Sequence, residues 1–255
     1  MTRKEVRQQL KADAREKMSG NWLYLVLVTL PAVMFSWIGD RAFNRFDALS
    51  AVNNVSSMDV HEFSNTFGDG SLFNLTTPSM MSFGDGTAMG ILAFFAATAA
   101  TYSLLDYSRA EKKLPHPFLQ AIEAYKTKGL FVGTIAVAVL QLIRTVLWTF
   151  VFIIPGIIKS FSYSQAFYVL KDAKANGEDI RYRDAITRSR ELMDGHKWEY
   201  FVLQLSFLGW SILAYLVLGL GMIILLPYMY LTYAGYYDYL KKDLAEKNAA
   251  ESVTE

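Results

Sequence analysis

Two stretches of this chain, residues 129–170 and 199–240, each run for 42 residues with only two charged side chains apiece. A bilayer core of about 30 Å needs about 20 apolar helical residues, so each block is long enough to cross twice. Two shorter apolar runs, residues 21–38 and 87–105, supply one crossing each. In hydrocarbon every backbone amide must be satisfied within its own segment or a closed barrel, and runs of this length select helices. The sequence therefore predicts an all-α polytopic bundle of six transmembrane helices. Composition agrees, with 53% hydrophobic residues and a mean hydropathy of +0.20 over 255 residues.

Each long block must fold back once. A turn at Pro155 or Pro227 would leave short second legs, so turns are expected near residues 144–149 and 218–221. Pro155, with Gly156 beside it, and Pro227 then fall inside the fourth and sixth spans as kinks or packing points.

Lysine and arginine set the orientation. Residues 1–20 carry six, 106–128 five, 171–198 seven and 241–255 three, which is 21 of the 25. The loop 39–86 carries only Arg41 and Arg45. Both termini and both basic loops are thus expected in the cytoplasm, and the loop 39–86 outside. The basic start followed by an apolar run also fits a signal peptide. Because the same arrangement recurs before Trp198, it is read as a retained first span.

That recurrence is a phrase written twice. Arg15-Glu16-Lys17-Met18-Ser19-Gly20-Asn21-Trp22 precedes the first apolar run, and Arg190-Glu191-Leu192-Met193-Asp194-Gly195-His196-Lys197-Trp198 precedes the last block. Pro155 and Pro227 stand 72 residues apart in similar surroundings. Tyr182-Arg183-Asp184-Ala185-Ile186 likewise resembles Phe118-Leu119-Gln120-Ala121-Ile122. The expected unit is an amphipathic cytoplasmic helix followed by two spans, used three times: 1–105 with the external loop 39–86, 117–174, and 182–245, with a polar tail 246–255. Even-numbered units share one orientation, which suggests a pseudo-threefold bundle. Val6, Leu10 and Met18, then Phe118, Ile122 and Tyr125, then Tyr182, Ile186 and Met193 give the surface helices apolar faces. Their cations, with Arg15, Arg183, Arg188 and Arg190, and the flanking Trp22 and Trp198, suit a membrane surface carrying anionic lipid.

Inside the blocks the densest polar run is Lys159-Ser160-Phe161-Ser162-Tyr163-Ser164-Gln165. At 100° per residue Pro155, Gly156, Lys159, Ser162 and Tyr163 share a face. An ammonium at mid-span marks a functional site by default. Lys159, Ser162 and Tyr163 are therefore candidate ligand-binding groups, together with Arg144, which the preferred turn places at the outer rim. Asp106-Tyr107 and Asp238-Tyr239 sit in related settings and read as solvated helix ends.

The catalytic inventory is poor. Cysteine is absent, which excludes thiol chemistry and thiolate metal sites, and His61, His116 and His196 lie in three separate loops. No catalytic residue, metal site or cofactor is expected. Net charge is only +1, with no basic field for nucleic acid. In the loop, Phe67-Gly68-Asp69-Gly70 and Phe83-Gly84-Asp85-Gly86 read as turns.

The run Ile154-Pro155-Gly156-Ile157-Ile158-Lys159-Ser160-Phe161-Ser162-Tyr163-Ser164, followed by Asp172 and by Ser189-Arg190-Glu191-Leu192-Met193 with Gly195 and Trp198, resembles an uncharacterised bacterial integral membrane family, domain of unknown function 975. The resemblance spans nearly the whole chain outside the loop 39–86. It implies a multi-helix protein of the bacterial plasma membrane and supplies no substrate. The expected function is non-catalytic, organising lipids or partner proteins in the envelope. The alternative is a transporter or lipid flippase that binds an anionic group near Lys159 between repeats.

Overall fold

The computed structural model describes residues 2–43, 88–110, 116–151, 153–216 and 221–254, and all its regular elements are helical. In chain order they are α1 (Arg3–Met18), α2 (Trp22–Phe43), α3 (Ala88–Ala110), α4 (Gln120–Glu123), α5 (Leu130–Val151), α6 (Ile153–Tyr163), α7 (Ala166–Ala175), α8 (Tyr182–Leu192), α9 (Lys197–Leu216) and α10 (Gly221–Thr254). Short 3-10 turns, Pro117–Leu119 and Ala124–Lys126, flank α4. Most of the loop 39–86, with His61 and both Gly-Asp-Gly turns, lies outside the described residues.

Helix α1 begins at a capping box: the Thr2 hydroxyl accepts from the Glu5 amide, and Glu5 accepts from the Thr2 amide at 2.8 Å. It ends before Gly20, whose φ of +79° only glycine adopts without strain, and the chain then turns through 102° into α2. Gly129 (φ +77°) and Gly195 (φ +76°) make the same left-handed turn before α5 and α9.

The longer helices form three antiparallel pairs. In the first, α2 packs along α3, with Tyr24 and Tyr107 rings 5.6 Å apart. In the second, α5 runs against α6 and α7: Gln141 Nε2 donates to the Tyr163 carbonyl at 2.7 Å, and Leu170 fills the space beside Gly133. In the third, α9 runs against α10, with the Phe207 and Tyr228 rings 5.4 Å apart and the Tyr236 hydroxyl donating to the His196 carbonyl at 3.2 Å. A Cβ on Gly221 would lie 2.7 Å from the Ala214 backbone, so glycine permits α9 and α10 to approach this closely.

The second pair differs from the others because its returning leg breaks at Ser164-Gln165. A broken helix frees backbone groups that must find partners. Ser189 on α8 supplies them: its hydroxyl donates to the Ser162 carbonyl at 2.9 Å and accepts from the Gln165 amide at 3.1 Å.

The largest fully buried side chains are aromatic, packed among Leu, Val and Ala, whereas most exposed large apolar residues are aliphatic. Tyr102, Tyr168, Tyr200, Tyr233 and Tyr236 are fully buried, with Tyr168 stacked on Tyr237 and Tyr200 on Tyr236. Helix α5 instead exposes Phe131, Ile135, Val139, Leu142, Val146 and Leu147, a continuous stripe at helical spacing. Among the described residues, Gly90–Ala110 and Leu130–Leu147 are each long and apolar enough to cross a membrane. The pair Arg3–Met18 and Trp22–Ser36 also qualifies if its bend belongs to one span. Helices α6 and α7, at 11 and 10 residues, are each too short alone.

Three expectations shift. The first fold-back lies between Val151 and Ile153, beyond residues 144–149, because α5 stays helical past Arg144 and Thr145. Pro155 accordingly occupies the first turn of α6, where its missing N–H costs no hydrogen bond, and is no mid-span kink. Pro227 does lie inside α10, and the turn expected near 218–221 falls mostly on residues outside the described set. The surface helices also spend their apolar faces on protein. Helix α1 buries Val6 and Ala14 and sets Leu10 against Gly235, while α8 buries Ala185, Ile186 and Leu192. Only the middle segment turns apolar groups outward, through Phe118, Leu119 and Ile122, the last 67% exposed.

Candidate functional site

Helices α6 and α8 and the turn into α9 line an open cleft of about 320 Å³. Lys159 and Ser162 enter from α6, Thr187, Arg190 and Glu191 from α8, and Asp194 and Lys197 from the turn and the start of α9. Three cations and two acids thus face one surface cavity. Asp194 Oδ1 lies 3.8 Å from Lys197 Nζ, at the loose limit of an ion pair. The sequence expected a cavity between repeats near Lys159, and the structure places Lys159 and Ser162 at the wall of this open cleft. Tyr163 is buried beside it and Arg144 is half-buried on α5, and neither lines the cleft.

The second copy of the repeated phrase builds this cleft through Arg190, Glu191, Asp194 and Lys197. The first copy builds another of about 330 Å³, lined by Asp13, Glu16, Lys17, Ser19, Asn21 and Tyr107. Its charge is reversed, two acids to one cation. Arg15 points elsewhere and donates to the Tyr228 hydroxyl at 3.2 Å, while Lys11 donates to Ser206 at 2.6 Å and lies 4.5 Å over the Phe207 ring. Arg15 is therefore held by α10. Arg183, Arg188 and Arg190 remain exposed on α8, Arg188 in an ion pair with Glu178. Trp22 and Trp198 are 55% and 68% exposed, one at the start of each phrase's helix.

A second centre, not foreseen as a site, joins the returning legs of all three pairs. Asp106, Asp172 and Asp238 stand at intervals of 66 residues, on α3, α7 and α10. The Arg109 guanidinium donates through Nη1 and Nη2 to the two Asp172 oxygens at 2.6 and 3.0 Å, and through Nη2 to Asp238 at 2.7 Å. Asp172 also accepts from Lys241 at 2.8 Å and from the Tyr237 hydroxyl at 3.0 Å. Burial alone would raise the Asp172 carboxyl, but the hydrogen bonds from Arg109 and Lys241 outweigh it and hold the group below its ordinary value. Asp106 pairs with Lys171 at 2.9 Å. The equal spacing was the available signal, obscured by the 72-residue interval of the prolines.

A third cluster surrounds His196. Its Nδ1 meets Glu199 at 3.0 Å and its Nε2 meets Asp243 at 3.0 Å. The hydrogen bond to Glu199, aided by Asp243, raises the His196 pKa above its ordinary value against the opposing effect of burial. Lys247, paired to Asp243 at 2.5 Å, is the main reason the Asp243 carboxyl is lowered. Glu199 is fully buried, and its Oε1 has no hydrogen-bond partner. The two imidazole nitrogens address different carboxylates, so the trio does not converge on a point as metal ligands would. No group of three or more His, Asp or Glu suited to a metal occurs among the described residues.

Fold and surface thus define an all-α protein with two or three helices able to cross a membrane. Residues 122–243 match the family model described as a protein of unknown function (DUF975), the family the sequence resembles. The matched segment contains the Lys159 cleft, Asp172, Asp238, and the His196 cluster. No curated protein and no solved structure matches the chain.

Proposed function

We propose that this chain is a multi-pass protein of the bacterial plasma membrane, without catalytic activity of its own, that organises anionic lipids or partner proteins at the cytoplasmic face. The observation that carries this is the apolar exterior: five tyrosines are fully buried while α5 turns a continuous, mainly aliphatic stripe outward. An aliphatic stripe of that length facing water would be an aggregation site, whereas facing acyl chains it costs nothing. On this reading the three helix pairs are three repeats and six spans, α6 and α7 forming one broken crossing. The left-handed glycines at 20, 129 and 195 and the aspartates at 106, 172 and 238 support the threefold plan. Both termini face the cytoplasm, where Arg183, Arg188 and Arg190 present charge to lipid headgroups.

The alternative, a transporter or flippase engaging an anion at Lys159, draws on the cleft. A filled aromatic interior favours the organising role over a translocation path.

Two measurements test the proposal. The chain has no native cysteine, so single cysteines at Lys4, Ser64 and Ser252 can be labelled from either side of intact cells. The reading expects Ser64 to react from outside and the other two only after permeabilisation; any of the three reversed refutes the topology. Lipid extracted with the full chain in polymer-bounded discs should be richer in anionic species than the bulk membrane. A bulk-like composition would remove the lipid role.

A further inference from the structure

We infer that the cleft between α6, α8 and the start of α9 binds the phosphate of a net-anionic phospholipid, whose acyl chains lie along α9. The inference deepens the membrane reading above and rests on it.

Three cations from three elements converge on the cavity: Lys159, Arg190 and Lys197. The three cations outnumber Glu191 and Asp194 in the lining by one, so the cleft carries an excess positive charge that an anion among them offsets. A guanidinium supplies a planar fork for phosphate oxygens, and ammonium groups supply movable point charges, which is a recurrent way to hold phosphate. The volume of about 320 Å³ accommodates a headgroup and is too open to retain a small solute by enclosure.

The surroundings select a lipid over a free anion. Trp198 follows Lys197 directly, and Trp198, Leu205 and Ile212 are exposed at seven-residue intervals along α9. That spacing keeps them on one helix face. Ile158, next to Lys159 in sequence, is also exposed. An apolar track therefore leaves the mouth of the charged cleft, the arrangement an acyl chain below a phosphate requires. The residues Glu191 and Asp194 at the other rim offer acceptors to headgroup hydroxyls. A choline group beside Arg190 and Lys197 would add positive charge, so net-anionic headgroups are favoured. The equivalent cleft in the first copy, with Asp13 and Glu16 against Lys17, lacks this cationic convergence.

The test is heat-induced unfolding of the full chain in neutral detergent, titrated with short-chain phosphatidylglycerol, phosphatidylcholine or inorganic phosphate. Ligand bound only by the folded state raises Tm in a saturable way. The expected result is a saturable rise with phosphatidylglycerol, little with phosphatidylcholine, and apparent affinity at least tenfold weaker in Lys159→Gln/Lys197→Gln. The charge-matched control Lys4→Gln/Lys242→Gln, at exposed positions away from the cleft, should keep the wild-type affinity. An unchanged affinity in the cleft variant overturns the site, and the lipid enrichment in extracted discs then stands or falls separately. A shift with inorganic phosphate equal to that with lipid overturns the lipid assignment. Because Lys159 and Lys197 reach an open cavity, the variant should fold; native mass spectrometry counting bound phosphatidylglycerol provides a readout independent of its Tm.

Discussion

Replacing Asp172 by asparagine should weaken the fold far more than the same change at Asp106, although the two aspartates are 66 residues apart in parallel positions. Asp172 is only 12% exposed and accepts from Arg109 twice, from Lys241 and from the Tyr237 hydroxyl. Asparagine keeps one acceptor oxygen, which at the Oδ2 position retains Arg109 Nη2, Lys241 and Tyr237, but it turns an amide N–H₂ toward Arg109 Nη1 and removes the charge from the remaining three contacts. A hydrogen bond to a charged group contributes about 1.5–3 kcal/mol. Arg109 keeps Asp238 as a partner, so no guanidinium is stranded and the cost stays near the lower bound, about 2–3 kcal/mol. At about 2–4 °C per kcal/mol for a chain of this size, Tm should fall by about 4–12 °C. Asp106 is 46% exposed with Lys171 as its ion-pair partner, and Asp106→Asn should cost less than about 1 kcal/mol. Unfolding of the detergent-solubilised chain, followed by tryptophan fluorescence, gives both numbers. Equal losses at the two positions, or no loss at Asp172, would refute the claim that the returning legs are joined through this carboxylate.

Two other outcomes follow from the same geometry. The raised His196 pKa means that its stabilising effect is fully present below about pH 6.5 and is lost as pH climbs through the raised value. Tm should therefore fall over that alkaline interval in the wild type and stay flatter in His196→Gln; parallel profiles would show that Glu199 and Asp243 hold a neutral imidazole. Ser189→Ala removes the hydroxyl that serves both the Ser162 carbonyl and the Gln165 amide, leaving buried backbone groups unpaired. It should cost about 1–3 kcal/mol and speed amide exchange at Gln165, and unaltered exchange there would mean the break is satisfied by other groups.

What the sequence disclosed followed from quantities that act locally. Apolar run length announced helices, and Gly20 and Gly195 marked where the chain turns because few other residues sit at positive φ. Gly129 was overlooked because no tryptophan follows it, yet it makes the same turn. The prolines misled: Pro155 lies 17 residues before Asp172, whereas Pro227 lies 11 before Asp238, so they mark different positions on their helices. Lys159 was recognised as unusual, but its partners Arg190 and Lys197 come from α8 and α9, and only the packing of α8 across the α6–α7 break brings them together. The His196 cluster was hidden for a similar reason. Its carboxylates lie 3 and 47 residues away, and the nearer one, Glu199, opens an apolar block where a charge looks like a boundary.

The two occurrences of the phrase build similar shapes with different chemistry. Each places a glycine turn after an amphipathic helix, and each turn leaves a cleft of nearly equal volume, about 330 and 320 Å³. Glu16 and Glu191 occupy the same place in the phrase, and so do Ser19 and Asp194. The charge differs because of what the neighbours contribute. Tyr107 closes the first cleft, whereas α6 brings Lys159 to the second, and that approach exists because the returning leg breaks at Ser164-Gln165. In the first and third pairs the described returning legs, α3 and α10, run unbroken through the corresponding region. The break, the serine that satisfies it and the cationic cleft are therefore one structural departure from the repeated plan. A helix break costs backbone hydrogen bonds that Ser189 must replace, so on the proposed reading this departure is where the second pair differs in function from the other two.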